Sequence, residues 1–138
     1  MTPEQVAVDT SVAVALLLAS HEAHERAVRW SSGRALALCG HAVAETYSVL
    51  TRLPGDARLA PHDAVALIED RFDVHSGLEA DTERELPRVL AERGVAGGAV
   101  YDAVVALAAA RNGLPLGTRD ARARATYEAV GVPVEVVA

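Results

Sequence analysis

The chain opens with a short apolar run, Val6-Ala7-Val8, that ends on a carboxylate at Asp9. Consecutive apolar residues without polar alternation predict a strand buried on both faces. Ser11 to Ala19 is apolar nearly all round, which predicts a helix packed inside the fold or against a partner. A more polar helix is predicted from His21 to Trp30, stopped by Ser31, Ser32 and Gly33, and Ala35 to Cys39 reads as a second buried strand. Val43, Tyr47 and Leu50 fall at i, i+4 and i+7 of a helix from His41 to Leu53, which Pro54 and Gly55 close. Pro61 stands where a further helix begins, with Ala64, Leu67 and Ile68 as its apolar face, and Phe72 to Val74 predicts a strand. Thr82 and Glu85 have the spacing of a capping box for a helix closing at Gly94, although Pro87 demands a later start or a kink. Ala99 to Arg111 is strongly helical between Gly97-Gly98 and Gly113. A strand at Leu114–Leu116, a helix at Ala121–Ala129 and a strand at Val132–Val137 complete the chain.

Strands that alternate with helices imply an α/β fold around a mainly parallel central sheet of about four or five short strands. The 138 residues suit one domain, 1–138, and are too few for two ordinary ones. In sheets of this kind the ligand crevice opens at the carboxyl ends of the strands, so acids just beyond strand ends become candidates for chemistry.

Composition narrows the class. At 51% hydrophobic residues the chain can build a real core and is not disordered. The lone Cys39 lies in an apolar run and rules out an internal disulfide, so it reads as a buried, inert thiol. The start, MTPEQVAVDT, lacks the basic and apolar segments of a secretion signal. The apolar run to Ala19 falls far short of the ~20 residues that span a bilayer, so a cytoplasmic protein without a membrane partner is expected. Net charge is −6, which by itself disfavours a phosphate-rich partner. Two features temper that: all thirteen basic residues are Arg, whose planar fork suits phosphate, and carboxylates committed to cations no longer repel a polyanion. The same acidity suits a basic protein partner.

Four carboxylates stand out. Asp9 and Asp120 follow predicted strands directly, whereas Glu45 in HAVAETYSVL and Asp102 in GGAVYDAVVALAAA interrupt apolar helical stretches. A charge among so many Ala and Val residues is costly unless something satisfies it. Taken singly, each acid could be a cap, an ion-pair partner or simply exposed. Gathered in one crevice, the four would repel one another unless cations were present, and oxygen-only donors suit hard ions such as Mg2+, with Mn2+ as a substitute. No His/Cys set has zinc-like spacing.

The segments VDTSV, HAVAETYSVLTRL, YDAVVALAA, GTRDARA and the terminal GVPVEVV, in that order, resemble the successive motifs of PIN domains. The likeness is nearest to the VapC ribonuclease toxins of type II toxin–antitoxin pairs and extends from Val6 to Val137. The resemblance implies a three-layer α/β/α sandwich and a Mg2+-dependent endoribonuclease. It makes Asp9, Glu45, Asp102 and Asp120 a catalytic and metal-binding quartet, with Asp9 and Asp102 as the firmest ligands. It also offers Thr10, Thr118 and Arg119 as substrate contacts or supports of the ligands. One or two ions, ~3.5–4 Å apart if two, would promote hydrolysis of an RNA phosphodiester to a 5′-phosphate and a 3′-hydroxyl. It further implies a cognate VapB-like antitoxin as partner, and a homodimer or a hetero-oligomer with that antitoxin. One departure is the pair Leu116-Gly117 before Thr118, where the family more often carries two bulky aliphatics.

Other residues carry weaker signals. His41 precedes Glu45 by one helical turn, while His21, His24, His62 and His75 read as surface residues. Trp30 and Tyr47 could stack on bases but fit packing better, and Arg122 and Arg124 fit a solvated helix face better than a phosphate grip. An aspartyl phosphatase would need an acid where Ser11 stands, and a phosphoacceptor receiver would need a Lys, which the chain lacks. The alternative to the enzyme is a catalytically silent PIN-fold binding or regulatory protein.

Overall fold

The apolar run at the start forms the central strand. The computed structural model describes residues 4–75 and 77–138, and in it β1 (Glu4–Val8) buries Val6, Ala7 and Val8 completely. α1 (Thr10–Leu17) and α2 (His24–Ser31) lead to β2 (Arg34–Cys39). α3 (His41–Thr51) and α4 (Pro61–Arg71) lead to β3 (Asp73–His75). α5 (Ala80–Arg84), α6 (Leu86–Glu92) and α7 (Ala99–Arg111) precede β4 (Leu116–Thr118), and α8 (Ala121–Val130) precedes β5 (Val134–Val136).

Among the described residues the five strands are ordered β3-β2-β1-β4-β5, and every pair is parallel. Ala7 of β1 is in register with Ala37 of β2 on one side and Leu116 of β4 on the other. The chain therefore walks outward from β1 to β3 and then returns to the opposite side of β1. With right-handed crossovers, this reversal puts α1–α4 on one face and α5–α8 on the other. Most helix contacts fall within a face, α1 with α2 and α3, α3 with α4, and α7 with α8, while α3 and α7 also meet across the faces. The reversal makes the gap between the ends of β1 and β4 a switch point, where such sheets bind ligands. No helix among the described residues is long and apolar enough to cross a membrane.

Two local expectations are corrected. The Thr82–Glu85 capping box does not form, because α5 begins at Ala80 and the helix is interrupted at Glu85, which ends α5 and precedes α6. Pro87 lies in the first turn of α6, where a residue without an N–H is tolerated. The expected strand at Leu114–Leu116 is displaced to Leu116–Thr118. The Leu114 amide is taken by the Ala109 carbonyl (3.0 Å) to close α7, so pairing with β1 starts only at Pro115, whose carbonyl accepts from Ala7 N (2.9 Å).

The unusual Leu116-Gly117 pair has a packing cause. A Cβ at Gly117 would lie 2.5 Å from Cη2 and 2.8 Å from Cζ2 of Trp30, so the indole occupies the space an aliphatic would need. Trp30 is held there by Nε1 donating to Glu135 Oε1 (3.3 Å), with Arg34 stacked 4.8 Å above the ring and donating to the same Glu135 oxygen (2.7 Å). Trp30 is thus a packing residue. Cys39 is buried and its thiol is pushed up to about 11 by that burial, which leaves it unreactive. Two further expectations change: His24 Nδ1 donates to the Ala15 carbonyl (2.8 Å), and His75 has a buried Nε2, so neither is a plain surface residue.

Candidate active site

Asp9 leaves the end of β1 and caps α1, the position that a parallel strand followed by a helix gives to its first polar residue. The side chain is only 6% exposed, and a bare carboxylate so buried is costly. Four donors offset that cost. Oδ1 accepts from Ser11 Oγ (2.5 Å) and Val12 N (3.3 Å), and Oδ2 accepts from Thr118 Oγ1 (2.5 Å) and Tyr127 OH (2.8 Å). Hydrogen bonds to a charged acceptor are the strong kind, so Asp9 is fixed in orientation.

Two of these hydroxyls also tie the β4–α8 turn to the same place. Thr118 Oγ1 accepts from Asp120 N (3.0 Å), and Ser11 Oγ accepts from Arg119 N (2.9 Å). Asp120 then caps α8, its Oδ1 accepting from Arg122 N (2.9 Å). Thr10 is buried beneath the site, with its hydroxyl 3.2 Å from that of Thr46.

Glu45 comes from α3 and Asp102 from the first turn of α7. Gly40, immediately before α3, lets these two helices approach. It has φ +56, and a Cβ there would lie 3.0 Å from Ala108 Cβ of α7. The result is a cavity of about 100 Å³ lined by Asp9, Glu45, Asp102 and Asp120, together with Thr10, Ser11, Val105 and Tyr127. A larger cavity of about 500 Å³ between α3 and α4 is lined mainly by apolar residues such as Val43, Val65 and Ile68, and lacks this concentration of acids.

The carboxylates feel one another. Burial first, then the charges of Asp120, Glu45 and Asp9, hold the Asp102 carboxyl above the usual range, while His41 pulls it down. Burial, then the charge and hydrogen bond of Asp9, then Asp102 and Glu45, hold the Tyr127 phenol far above its ordinary value, so it is a permanent donor. Among the described residues no three His, Cys, Asp or Glu side chains converge into a ready-made metal cage. Three side chains already engage Asp9. The donor set nonetheless fits a hard divalent cation, which takes oxygen ligands and characteristically retains several waters between itself and the protein.

The sequence-predicted quartet is therefore brought together, and Thr10 lines the same cavity. Thr118 sits just behind it, bonded to Asp9. Arg119 contributes through its backbone amide; its side chain is not among the cavity-lining groups, and its Nε is buried without a partner. Arg124 Nε pairs with Glu128 (2.8 Å) on an exposed face, as a solvated helix would have it. Sequence reasoning missed Tyr127 and Ser11. Ser11 was detectable as a hydroxyl two residues past a strand-end acid, and Tyr127 only as a polar-tipped ring seven residues past Asp120.

The PIN domain family model matches residues 6–129, which include all four acids. Ribonuclease VapC27 of Mycobacterium tuberculosis is 59% identical over 133 residues, spanning 96% of this chain and 97% of its own length. Among solved structures, VapC20 of Mycobacterium tuberculosis, a sarcin-ricin loop cleaving toxin, matches with a TM-score of 0.67 at 24% identity, covering 92% of this chain and 95% of that one. DNA-bound VapBC from Salmonella typhimurium matches with a TM-score of 0.66 at 19% identity, covering 99% and 100%. At those identities the structural matches speak for the fold alone. With the family model and a near full-length relative agreeing on the same span, the chain belongs to the PIN domain family.

Proposed function

We propose that this chain is a divalent-cation-dependent endoribonuclease, acting as a single domain, 1–138, and serving as the toxin of a toxin–antitoxin pair. The observation that carries this reading is the meeting of four carboxylates from four separate elements in one small cavity at the switch point. The identity to Ribonuclease VapC27 supports RNA as substrate. The likeness in fold to DNA-bound VapBC supports a cognate antitoxin, and the net charge of −6 suits a basic face on that partner. We place its action in the cytoplasm, where RNA is accessible.

Asp9 and Asp102 would be the firmest holders of the cation, Mg2+ or Mn2+, with Glu45 and Asp120 completing the site or holding its waters. When bound, the cation polarises a phosphoryl oxygen and lowers the pKa of a water. The chain's own groups do the rest. Ser11, Thr118 and Tyr127 keep both Asp9 oxygens oriented, so no reorganisation is needed as charge develops. Asp102, whose proton affinity is raised first by burial and then by the neighbouring charges, would gain most from a cation that offsets both, and the proton that the attacking water releases passes to solvent. Water adds to phosphorus, the bond to the 3′ oxygen breaks, and the leaving oxygen acquires a proton from solvent, giving a 5′-phosphate and a 3′-hydroxyl.

The test is incubation of the purified protein with structured RNAs in Mg2+, in Mn2+ and with chelator. Cleavage should require the ion, and Asp9→Asn should keep the fold but lose cutting. Metal-dependent cutting retained by Asp9→Asn would remove Asp9 from this role. The lining of one cavity by all four acids favours the nuclease over a silent binding protein.

A further inference from the structure

We propose that the stacked rings of His41 and Tyr101, joined to the acidic cavity through the pairing of His41 with Glu45, form a seat for one unpaired nucleobase of a single-stranded RNA. The proposal deepens the ribonuclease reading and rests on it for the identity of the ligand. His41 is the first residue of α3 and Tyr101 lies in the first turn of α7, the helices that carry Glu45 and Asp102. His41 Nε2 is 3.6 Å from Glu45 Oε2, and Tyr101 immediately precedes Asp102. The ring centroids are 5.0 Å apart with planes inclined by 26°, a stacked pair. Tyr101 is 60% exposed, against 37% for Tyr47, which faces the apolar cavity between α3 and α4, whereas Phe72 and Tyr127 are buried and Trp30 is committed to Gly117.

An aromatic ring held by a stack and open to solvent is a platform with room for a further layer. Beside it is a cavity of about 540 Å³ whose walls include Gly40, Leu86, Val100 and Val104 as well as the two rings. The charge balance gives such a seat a purpose. In a chain of net charge −6 with an acidic reaction centre, phosphate attraction is weak, and stacking holds a nucleotide without opposite charge. Stacking needs a free base face, so the ligand is a loop or single strand, not a helix.

A single-stranded oligoribonucleotide carrying 2-aminopurine, titrated with the protein in Mg2+, reads the seat directly. The wild type should quench the fluorophore, and Tyr101→Phe and Tyr101→Trp should still do so. Tyr101→Ala should lose the quenching and weaken binding about ten- to a hundredfold, the range for one base–aromatic stack. Tyr101 is exposed and its truncation loses only the stack on His41, so the melting temperature should fall by no more than a few degrees. Binding by Tyr101→Ala within twofold of wild type overturns the seat, whatever that variant does to a protein partner. The two ideas fail separately. Quenching without any RNA cleavage sinks the nuclease reading and keeps the seat, while cleavage with an unchanged KM in Tyr101→Ala does the reverse.

Discussion

Gly117→Ala offers a sharp test of how the sheet beneath the site is packed. The added Cβ would stand 2.5 Å and 2.8 Å from two indole carbons of Trp30, distances at which something must move. If the indole swings out, it forfeits the bond to Glu135 and the Arg34 stack, worth about 1 kcal/mol and about 0.5–1 kcal/mol. If β4 moves instead, it disturbs the Asp9 N to Gly117 carbonyl bond of 3.1 Å and the neighbouring Thr118 that holds Asp9. Overpacking of this kind costs about 1–3 kcal/mol. A value near ~2 kcal/mol would lower Tm by about 5–8 °C for a chain of this size. Trp30→Ala removes the obstacle, so the double variant Trp30→Ala/Gly117→Ala should be more stable than the two single losses predict, by about 2 kcal/mol. Urea and thermal unfolding of the four proteins give the cycle. Cleavage assays distinguish the two escapes, because only movement of β4 reaches Asp9. A Gly117→Ala protein within about 0.5 kcal/mol of wild type, or a cycle that adds up, would refute the packing account.

Tyr127→Phe removes one donor from Asp9 Oδ2 while leaving the ring in place. It should cost about 1.5–3 kcal/mol in chemical denaturation and weaken the stabilisation that Mg2+ confers. Asp102→Asn removes a charge that is disfavoured first by burial and then by repulsion within the quartet, so without metal it should be more stable than wild type at neutral pH, by less than about 1 kcal/mol because the site is partly open to screening water. The sign follows from a folded pKa raised above the unfolded one: wild type is favoured below the ordinary carboxylate pKa and loses that advantage as pH rises through the raised value. The gap between the two proteins should therefore close on acidification, and melting curves from acidic to neutral pH check it. Saturating Mg2+ should reverse the neutral-pH order, stabilising wild type by about 2.7 kcal/mol at a hundred times its Kd and Asp102→Asn far less.

Much of the site was already written along the chain. A carboxylate directly after a buried parallel strand must emerge at the crest of the sheet, which placed Asp9 before any contact was known. Glu45 and Asp102 declared themselves as charges inside apolar helical runs, where only a shared purpose or an exposed face makes sense. The alternation of strand and helix likewise dictated a parallel sheet covered on both sides. Other features exist only in three dimensions. Tyr127 reaches Asp9 across 118 positions and Thr118 across 109, and no local pattern carries such a pairing. The strand order β3-β2-β1-β4-β5 had to be formed before those hydroxyls could meet the acid. Trp30 and Gly117 lie in different elements, so the sequence shows the glycine only as a departure from the family pattern, and the indole that fills its place appears only in the fold. Propensity and periodicity speak for neighbours a few residues apart, whereas the orientation of a buried charge is decided by whichever donors the folded sheet delivers to it.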